Sequence, residues 1–116
     1  MTVHLLIPFF DYMINEKEII HFTASIEMVL KELRNEKNIS QGNANLEFEE
    51  KYGFSINFGR IESYPNFRME TFLYICDYFN ISIQEFSKRI LNKKKQDIIR
   101  FLAEKEKRKK KRSLKK

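Results

Sequence analysis

The feature that most constrains the fold is a run of apolar residues, spaced three and four positions apart, over residues 19–33. This spacing places their side chains on one side of an α-helix, whereas a strand would place alternate residues on one face. Asn15, followed three residues later by Glu18, has the form of a capping box. The pattern therefore predicts a helix over residues 16–36, with a break near residues 23–25 as the alternative.

Composition also favours helices over a β-sandwich or barrel. The 116 residues include only 3 glycines and 2 prolines, while Leu, Ile, Glu and Lys are frequent. The 11 phenylalanines and 5 tyrosines supply a large apolar area for a small core. A body of about 60 to 90 residues folds alone only marginally, so we expect a homodimer.

Cap signals predict two more helices in the C-terminal half. Asn66 is expected to cap a helix that ends at Asn80, and Ser82 with Glu85 forms a second capping box. The helix that Ser82 opens is expected to continue through Leu102. The expected core positions of the two helices are Met69, Phe72, Leu73, Ile75, Cys76, Phe79, Ile83, Phe86 and Ile90.

The middle of the chain allows two interpretations. Its apolar residues fall on even positions, which is the period of a strand: Leu46, Phe48, Tyr52, Phe54, Ile56 and Phe58. In the favoured interpretation residues 42–50 form a helix, residues 51–54 a turn and residues 55–62 a second helix. In the other, part of residues 46–58 is extended or forms a short hairpin.

Charge divides the chain into an acidic body and a basic end. Residues 1–92 carry a net charge of −4 and residues 93–116 a net charge of +10. A basic block of this kind is attracted to polyanions, so we expect Lys93, Lys94 and Lys95 to contact DNA phosphates. A solvated tail and attachment to an anionic membrane are the alternatives. Beyond residue 103 we expect a frayed or disordered segment.

Several function classes find no support in the residues. Cys76 stands alone in an apolar pattern, which predicts a buried structural thiol. His4 and His21 lack the spacing of metal ligands, and no phosphate-binding loop or nucleophile motif is present, so we expect no metal, no cofactor and no enzyme activity. The apolar residues 4–10 are too short for a bilayer span and lack the form of a signal peptide, which favours a cytoplasmic protein.

Five short motifs occur in a characteristic order: Leu30-Lys-Glu-Leu-Arg34, Ser40-Gln41, Gly53-Phe54-Ser55, Arg60-Ile-Glu62, and the helical stretch 73–86. Together they span about half of the chain. This order resembles the helix-turn-helix domain of the Cro/cI repressor family, the XRE-like regulators. The resemblance implies a lambda-repressor-like bundle that binds double-stranded DNA in the major groove.

The resemblance also assigns roles to individual residues. It implies that Gln41 lies at the DNA backbone and braces the recognition helix. Ser55, Ile56 and Asn57 would begin that helix, where Asn and Ser side chains suit base edges. Arg60 would contact phosphate or pair with Glu62.

The sequence departs from the family in the segment that would meet DNA. Between Ser40 and Glu62 it is about three residues longer than the family, and the loop after Glu62 lacks the usual basic residue. Three acidic residues lie within the longer segment: Glu47, Glu49 and Glu50. These differences keep open a protein-interaction module, antitoxin-like or dimerising, that has lost specific DNA binding.

We therefore predict an all-α bundle of about five helices with a basic C-terminal extension or tail. Residues 1–21 form an apolar N-terminal segment and helix start, residues 22–91 the DNA-binding domain and residues 92–116 the extension. The predicted function is transcription regulation through DNA binding, with no small-molecule ligand and no membrane. Non-specific nucleic-acid binding through the tail alone is a further alternative.

Overall fold

The computed structural model describes residues 15–114, which form six α-helices and no strand. The helices are α1 (Glu16–Glu36), α2 (Gln41–Tyr52), α3 (Phe58–Ile61), α4 (Met69–Tyr78), α5 (Ile83–Leu91) and α6 (Lys95–Leu114). The prediction of an all-α bundle is confirmed. The apolar segment expected over residues 1–14 lies outside the described residues. No helix within 15–114 is long and apolar enough to cross a bilayer.

Helix α1 has the predicted bounds. The Asn15 side-chain oxygen accepts from the backbone N–H of Lys17 at 2.9 Å and of Glu18 at 3.3 Å, which fixes the first turn. The alternative of a break near residues 23–25 is wrong, since the helix is continuous there. The Ser25 hydroxyl donates to the His21 carbonyl at 3.1 Å, so this polar residue is satisfied within the helix.

The core lies between the C-terminal half of α1 and helices α2 to α5. Its largest fully buried side chains are Phe48, Phe58, Phe86, Leu30, Ile75 and Val29. Phe48 lies at the centre, with its ring centroid 4.7 Å from that of Tyr52, 5.3 Å from that of Phe54 and 5.7 Å from that of Tyr78. Aromatic pairs at such distances add about 0.5–1.5 kcal/mol each to the burial term. The aromatic residues thus form much of this small core, as the composition predicted.

Cys76 is buried, as predicted, and burial raises the pKa of its thiol. Three expected core residues are instead exposed: Met69, Leu73 and Ile83, at 70%, 46% and 45%. Helices α4 and α5 are short and bury narrower stripes than the sequence pattern indicated, with Ile75, Cys76 and Tyr78 on α4 and Phe86 and Ile90 on α5.

Two helix boundaries also differ from the predictions. Helix α4 begins at Met69 rather than after Asn66, whose backbone N–H donates to the Tyr64 carbonyl in the preceding turn. The helix opened by Ser82 does not run through Leu102, because α5 ends at Leu91 and α6 begins at Lys95. The apolar stripe explains this break: positions 93, 94 and 97, which would continue it, are Lys, Lys and Asp.

The chain after residue 103, predicted to be frayed or disordered, continues helix α6 as far as Leu114. The buried Ile98 and the half-buried Phe101 and Leu102 secure the first half of α6, which packs against α1. The basic second half therefore has a defined direction relative to the body.

Candidate nucleic-acid interface

The turn between α2 and α3 depends on one glycine. Gly53 ends α2 with φ of 80°, a left-handed conformation in which a side chain is strained, and its N–H donates to the Glu49 carbonyl at 2.8 Å. Residues 54–57 then lead to α3 without forming a strand or hairpin. The alternating pattern of Phe54, Ile56 and Phe58 thus reflects a short non-helical link between two helices.

Helix α3 is a single turn of four residues and begins later than predicted. A helix starting at Ser55 is wrong, because Asn57 is the N-cap and its side-chain oxygen accepts from the Arg60 N–H at 3.1 Å. The Asn45 side-chain oxygen holds the link by accepting from the Phe58 N–H at 2.7 Å. Ile56 is half-buried against the core.

A buried carboxylate joins α3 to the two preceding helices. Glu62, directly after α3, is 7% exposed and accepts from Arg34 Nε at 2.6 Å and Nη2 at 3.1 Å, and from Gln41 Nε2 at 3.0 Å. Arg34 also donates to the Ile39 carbonyl at 2.8 Å. These three residues, Arg34, Gln41 and Glu62, are called the Glu62 network below. Glu62 pairs with Arg34, so the alternative in which Arg60 pairs with Glu62 is wrong.

Gly59 lets the Glu62 network approach α3 closely. A Cβ atom at residue 59 would lie 3.2 Å from the side-chain oxygens of both Gln41 and Asn57. Such a contact is tighter than normal packing, so a larger residue would push Gln41 away from Glu62. Gln41 thus lies against α3, between Gly59 and Glu62.

Four of the residues predicted to contact DNA line one exposed depression on this side of the molecule. Ser55, Asn57 and Arg60 share it with Tyr64, which is 60% exposed, and with Leu46, which is 67% exposed. We call this surface the polar depression. Ile56 also lines it but turns part of its side chain to the core.

The acidic residues of α2 are distributed unevenly around the polar depression. Glu49 lines it, whereas Glu47 accepts from the Tyr78 hydroxyl at 2.8 Å. Glu50 shares a separate surface with Lys37 and Tyr78. Of the three glutamates expected to make this side acidic, only Glu49 therefore lines the polar depression.

A second groove adjoins the polar depression, with Tyr64 lining both. One wall holds Gln41, Gly59 and Ser63, and the other comes from α1 and α6. The charged residues that line it are five cations and two carboxylates: Lys31, Lys105, Arg108, Lys109, Arg112, Glu27 and Glu62. We call it the basic groove.

Lys105 fastens α6 to the rim of the basic groove. Its Nζ donates to Glu27 Oε1 at 2.8 Å and to the Ser63 carbonyl at 2.8 Å. Glu27 is 3% exposed, and its burial raises the pKa of this carboxyl, an effect that Lys105 partly offsets. Lys105 with these two acceptors is called the Lys105 clasp. Both carboxylates of the groove therefore already have cationic partners. The other four groove cations, Lys31, Arg108, Lys109 and Arg112, make no ion pair with a residue that lines the groove.

The predicted phosphate contacts at the start of α6 lie elsewhere. Lys93 pairs with Glu32 and its side chain is only 18% exposed. Lys94 and Lys95 are exposed, but Lys95 lies about 15 Å along the helix axis from Lys105. The structure does not bring these three lysines to the basic groove.

The basic groove residues on α6 belong to the basic block that was expected to attract polyanions, but they were not singled out as contacts, although the sequence contains a signal for their shared face. Phe101, Lys105, Arg108 and Arg112 recur at three and four positions and extend the apolar stripe that begins at Ile98. Lys31, from α1, has no such signal.

No protein-family model, curated protein or solved structure matches the chain.

Proposed function

We propose that this chain is a DNA-binding regulator of the helix-turn-helix type, related to the Cro/cI repressor family, and that its polar depression faces the major groove of duplex DNA. The observation that carries the proposal is the Glu62 network. It ties the start of α2 to the end of α3 and leaves Ser55, Asn57 and Arg60 exposed on one side.

The chemistry of these side chains suits both parts of DNA recognition. Ser55 can donate to or accept from base edges, and the amide nitrogen of Asn57 remains a donor while its oxygen caps α3. Arg60 is exposed and reaches phosphate or guanine. Leu46, exposed beside them, offers an apolar contact to a thymine methyl group.

The size of α3 determines how much sequence one copy can recognise. Four helical residues span about 6 Å, while the major groove is about 12 Å wide, so the turn fits but reaches few base pairs. A homodimer on two half-sites would multiply this small specificity. We therefore propose a dimeric protein that binds a palindromic site.

The test is selection of duplexes from a random library, followed by affinity measurements on the enriched site. Ser55→Ala and Arg60→Gln are expected to weaken binding about tenfold each, within the roughly 1–3 kcal/mol of a good base or phosphate contact. Arg100→Gln is the matched control, because Arg100 is exposed on α6 and lines neither the polar depression nor the basic groove. It should change affinity by less than twofold.

Two results together would contradict the proposed function. If selection enriches no site, and Arg60→Gln lowers affinity no more than Arg100→Gln does, the proposal is wrong. Sedimentation of the protein on its enriched duplex gives the stoichiometry, and two chains on each site are expected. Binding to a protein partner with no affinity for duplexes would favour the interaction module instead.

A further inference from the structure

Helix α6 is attached to the side of the molecule that carries the polar depression. Ile98 anchors its first half in the body, and the Lys105 clasp fixes it again seven residues later. The acceptor at Ser63 lies one residue after the Glu62 network. The direction of α6 is therefore set by the same segment that positions α3.

The second half of α6 presents cations on two different faces. Arg108, Lys109 and Arg112 line the basic groove, one to two turns beyond the clasp. Lys107, Lys110 and Lys111 lie on the opposite face, since a helix turns about 100° for each residue. The two sets have equal charge and nearly equal distance from the body, so they form a natural pair for comparison.

We propose that Lys31, Arg108, Lys109 and Arg112 form a second phosphodiester-binding surface, which grips the backbone of the same duplex whose major groove faces the polar depression. This inference rests on the proposed function. Lys105 acts as a positioning residue: its pairing with Glu27 and the Ser63 carbonyl holds the groove cations at that backbone.

The residues that line the basic groove and the surface that adjoins it favour duplex DNA as the ligand. Gln41, which donates to Glu62 directly after α3, lines the basic groove, and Tyr64 connects that groove to the polar depression. Arg108 and Arg112 are about 6 Å apart along the helix axis, which allows contact with successive phosphates of one strand. A single backbone passing from one surface to the other would touch both.

The first test compares two triple variants on the selected duplex over a range of salt concentrations. The groove variant is Arg108→Gln, Lys109→Gln and Arg112→Gln. It should lose roughly tenfold or more in affinity and reduce the slope of log affinity against log salt by up to about 2.7, because each of the three phosphate contacts contributes about 0.9. The control variant is Lys107→Gln, Lys110→Gln and Lys111→Gln, which should lose less than threefold.

The second test separates positioning from charge. Glu27→Met removes a negative charge beside the groove, so electrostatics alone would strengthen DNA binding. If the Lys105 clasp positions α6, Glu27→Met should instead weaken binding by about threefold or more and reduce the salt slope. Lys105→Met should weaken binding more than Lys107→Met, which removes the same charge from the opposite face. Thermal unfolding of each variant shows whether the fold is retained.

The outcomes distinguish this inference from the proposed function. If Ser55→Ala and Arg60→Gln weaken binding while the groove variant binds like the wild type, the groove proposal falls and the function stands. Equal losses in the two triple variants would mean that α6 acts as an undirected polycation, which also overturns it. A groove that prefers duplex RNA or an acidic peptide to the selected duplex contradicts it as well. If selection enriches no duplex site, both the groove proposal and the proposed function are wrong.

Discussion

Two buried glutamates on the same side of the molecule have very different surroundings. Glu62 is 7% exposed and receives three hydrogen bonds from Arg34 and Gln41. Glu27 is 3% exposed and receives one, from Lys105. Both lie beneath the basic groove, yet the first lies inside the folded body and the second attaches a separate helix.

The difference follows from the two cations. The guanidinium of Arg34 is a planar fork that donates to Glu62 and to the Ile39 carbonyl at once, so its geometry is rigid. The ammonium of Lys105 is a single charge at the end of a flexible chain, with 22% of its side chain exposed. We expect the first glutamate to contribute mainly to stability and the second mainly to the placement of α6.

The largest effect is expected from Arg34→Met. It would leave Glu62 buried with only the Gln41 donor, and loss of one partner of a buried ion pair costs about 3–5 kcal/mol. Urea denaturation would measure the change. Arg89→Met is the matched control, because Arg89 makes the same two-bond contact with Glu36 at the surface. Its cost should be below about 1 kcal/mol. Equal costs for the two variants would contradict the distinction.

A smaller effect is expected from Glu27→Met. Lys105 keeps the Ser63 carbonyl as an acceptor and its side chain is partly hydrated, so the cost should be about 1.5–3 kcal/mol, the range for a hydrogen bond to a charged group. In the double variant with Lys105→Met both charges are gone, so the cost should rise only by the Ser63 hydrogen bond and stay below the sum of the two single costs. Additive losses in this double-mutant cycle would show that the two residues do not interact.

Gln41→Met should cost still less. Glu62 would keep both Arg34 bonds, so the loss is one hydrogen bond from a neutral amide to a carboxylate, about 1.5 kcal/mol at the lower end of the range for charged groups. Asn43→Met, exposed in the same turn of α2, is the control and should be nearly neutral. A cost near that of Arg34→Met would contradict this prediction, because it would mean that Gln41 stabilises the buried Glu62 as much as Arg34 does.

Sequence patterns predicted the regions where local rules decide the structure. The bounds of α1 follow from the Asn15 cap and a regular stripe, and the turn at Gly53 follows from a backbone conformation that glycine adopts freely. Ser82 likewise accepts from the Glu85 N–H, as its capping box predicts.

Contacts between distant residues were harder to predict. The Arg34 partner lies 28 residues away and the Lys105 partner 78 residues away. The resemblance offered Arg60 as a partner for Glu62, and no sequence pattern suggested a partner for Lys105. The late start of α3 has the same origin, because the Asn45 side chain takes the Phe58 N–H from 13 residues away. Tertiary hydrogen bonds thus set the details of the site that periodicity cannot supply.

The smallest effect is expected from pH, and it has opposite signs at two glutamates. Burial raises the pKa of Glu27 above its ordinary value of 4.5, so its stabilising contribution is fully present below pH 4.5 and is lost as the pH rises through the folded pKa. The hydrogen bond from Arg89 lowers the pKa of Glu36, so that contribution is present above pH 4.5 and is lost as the pH falls through the folded pKa.

Urea denaturation from pH 7 to pH 3.5 would compare each Gln variant with the wild type. The wild type should gain stability relative to Glu27→Gln as the pH falls towards 4.5, and should lose it relative to Glu36→Gln below that value. The same sign in both comparisons would mean that the attraction of Lys105 outweighs the burial of Glu27, and no pH dependence at Glu27 would mean that this carboxylate is hydrated and the Lys105 clasp is open.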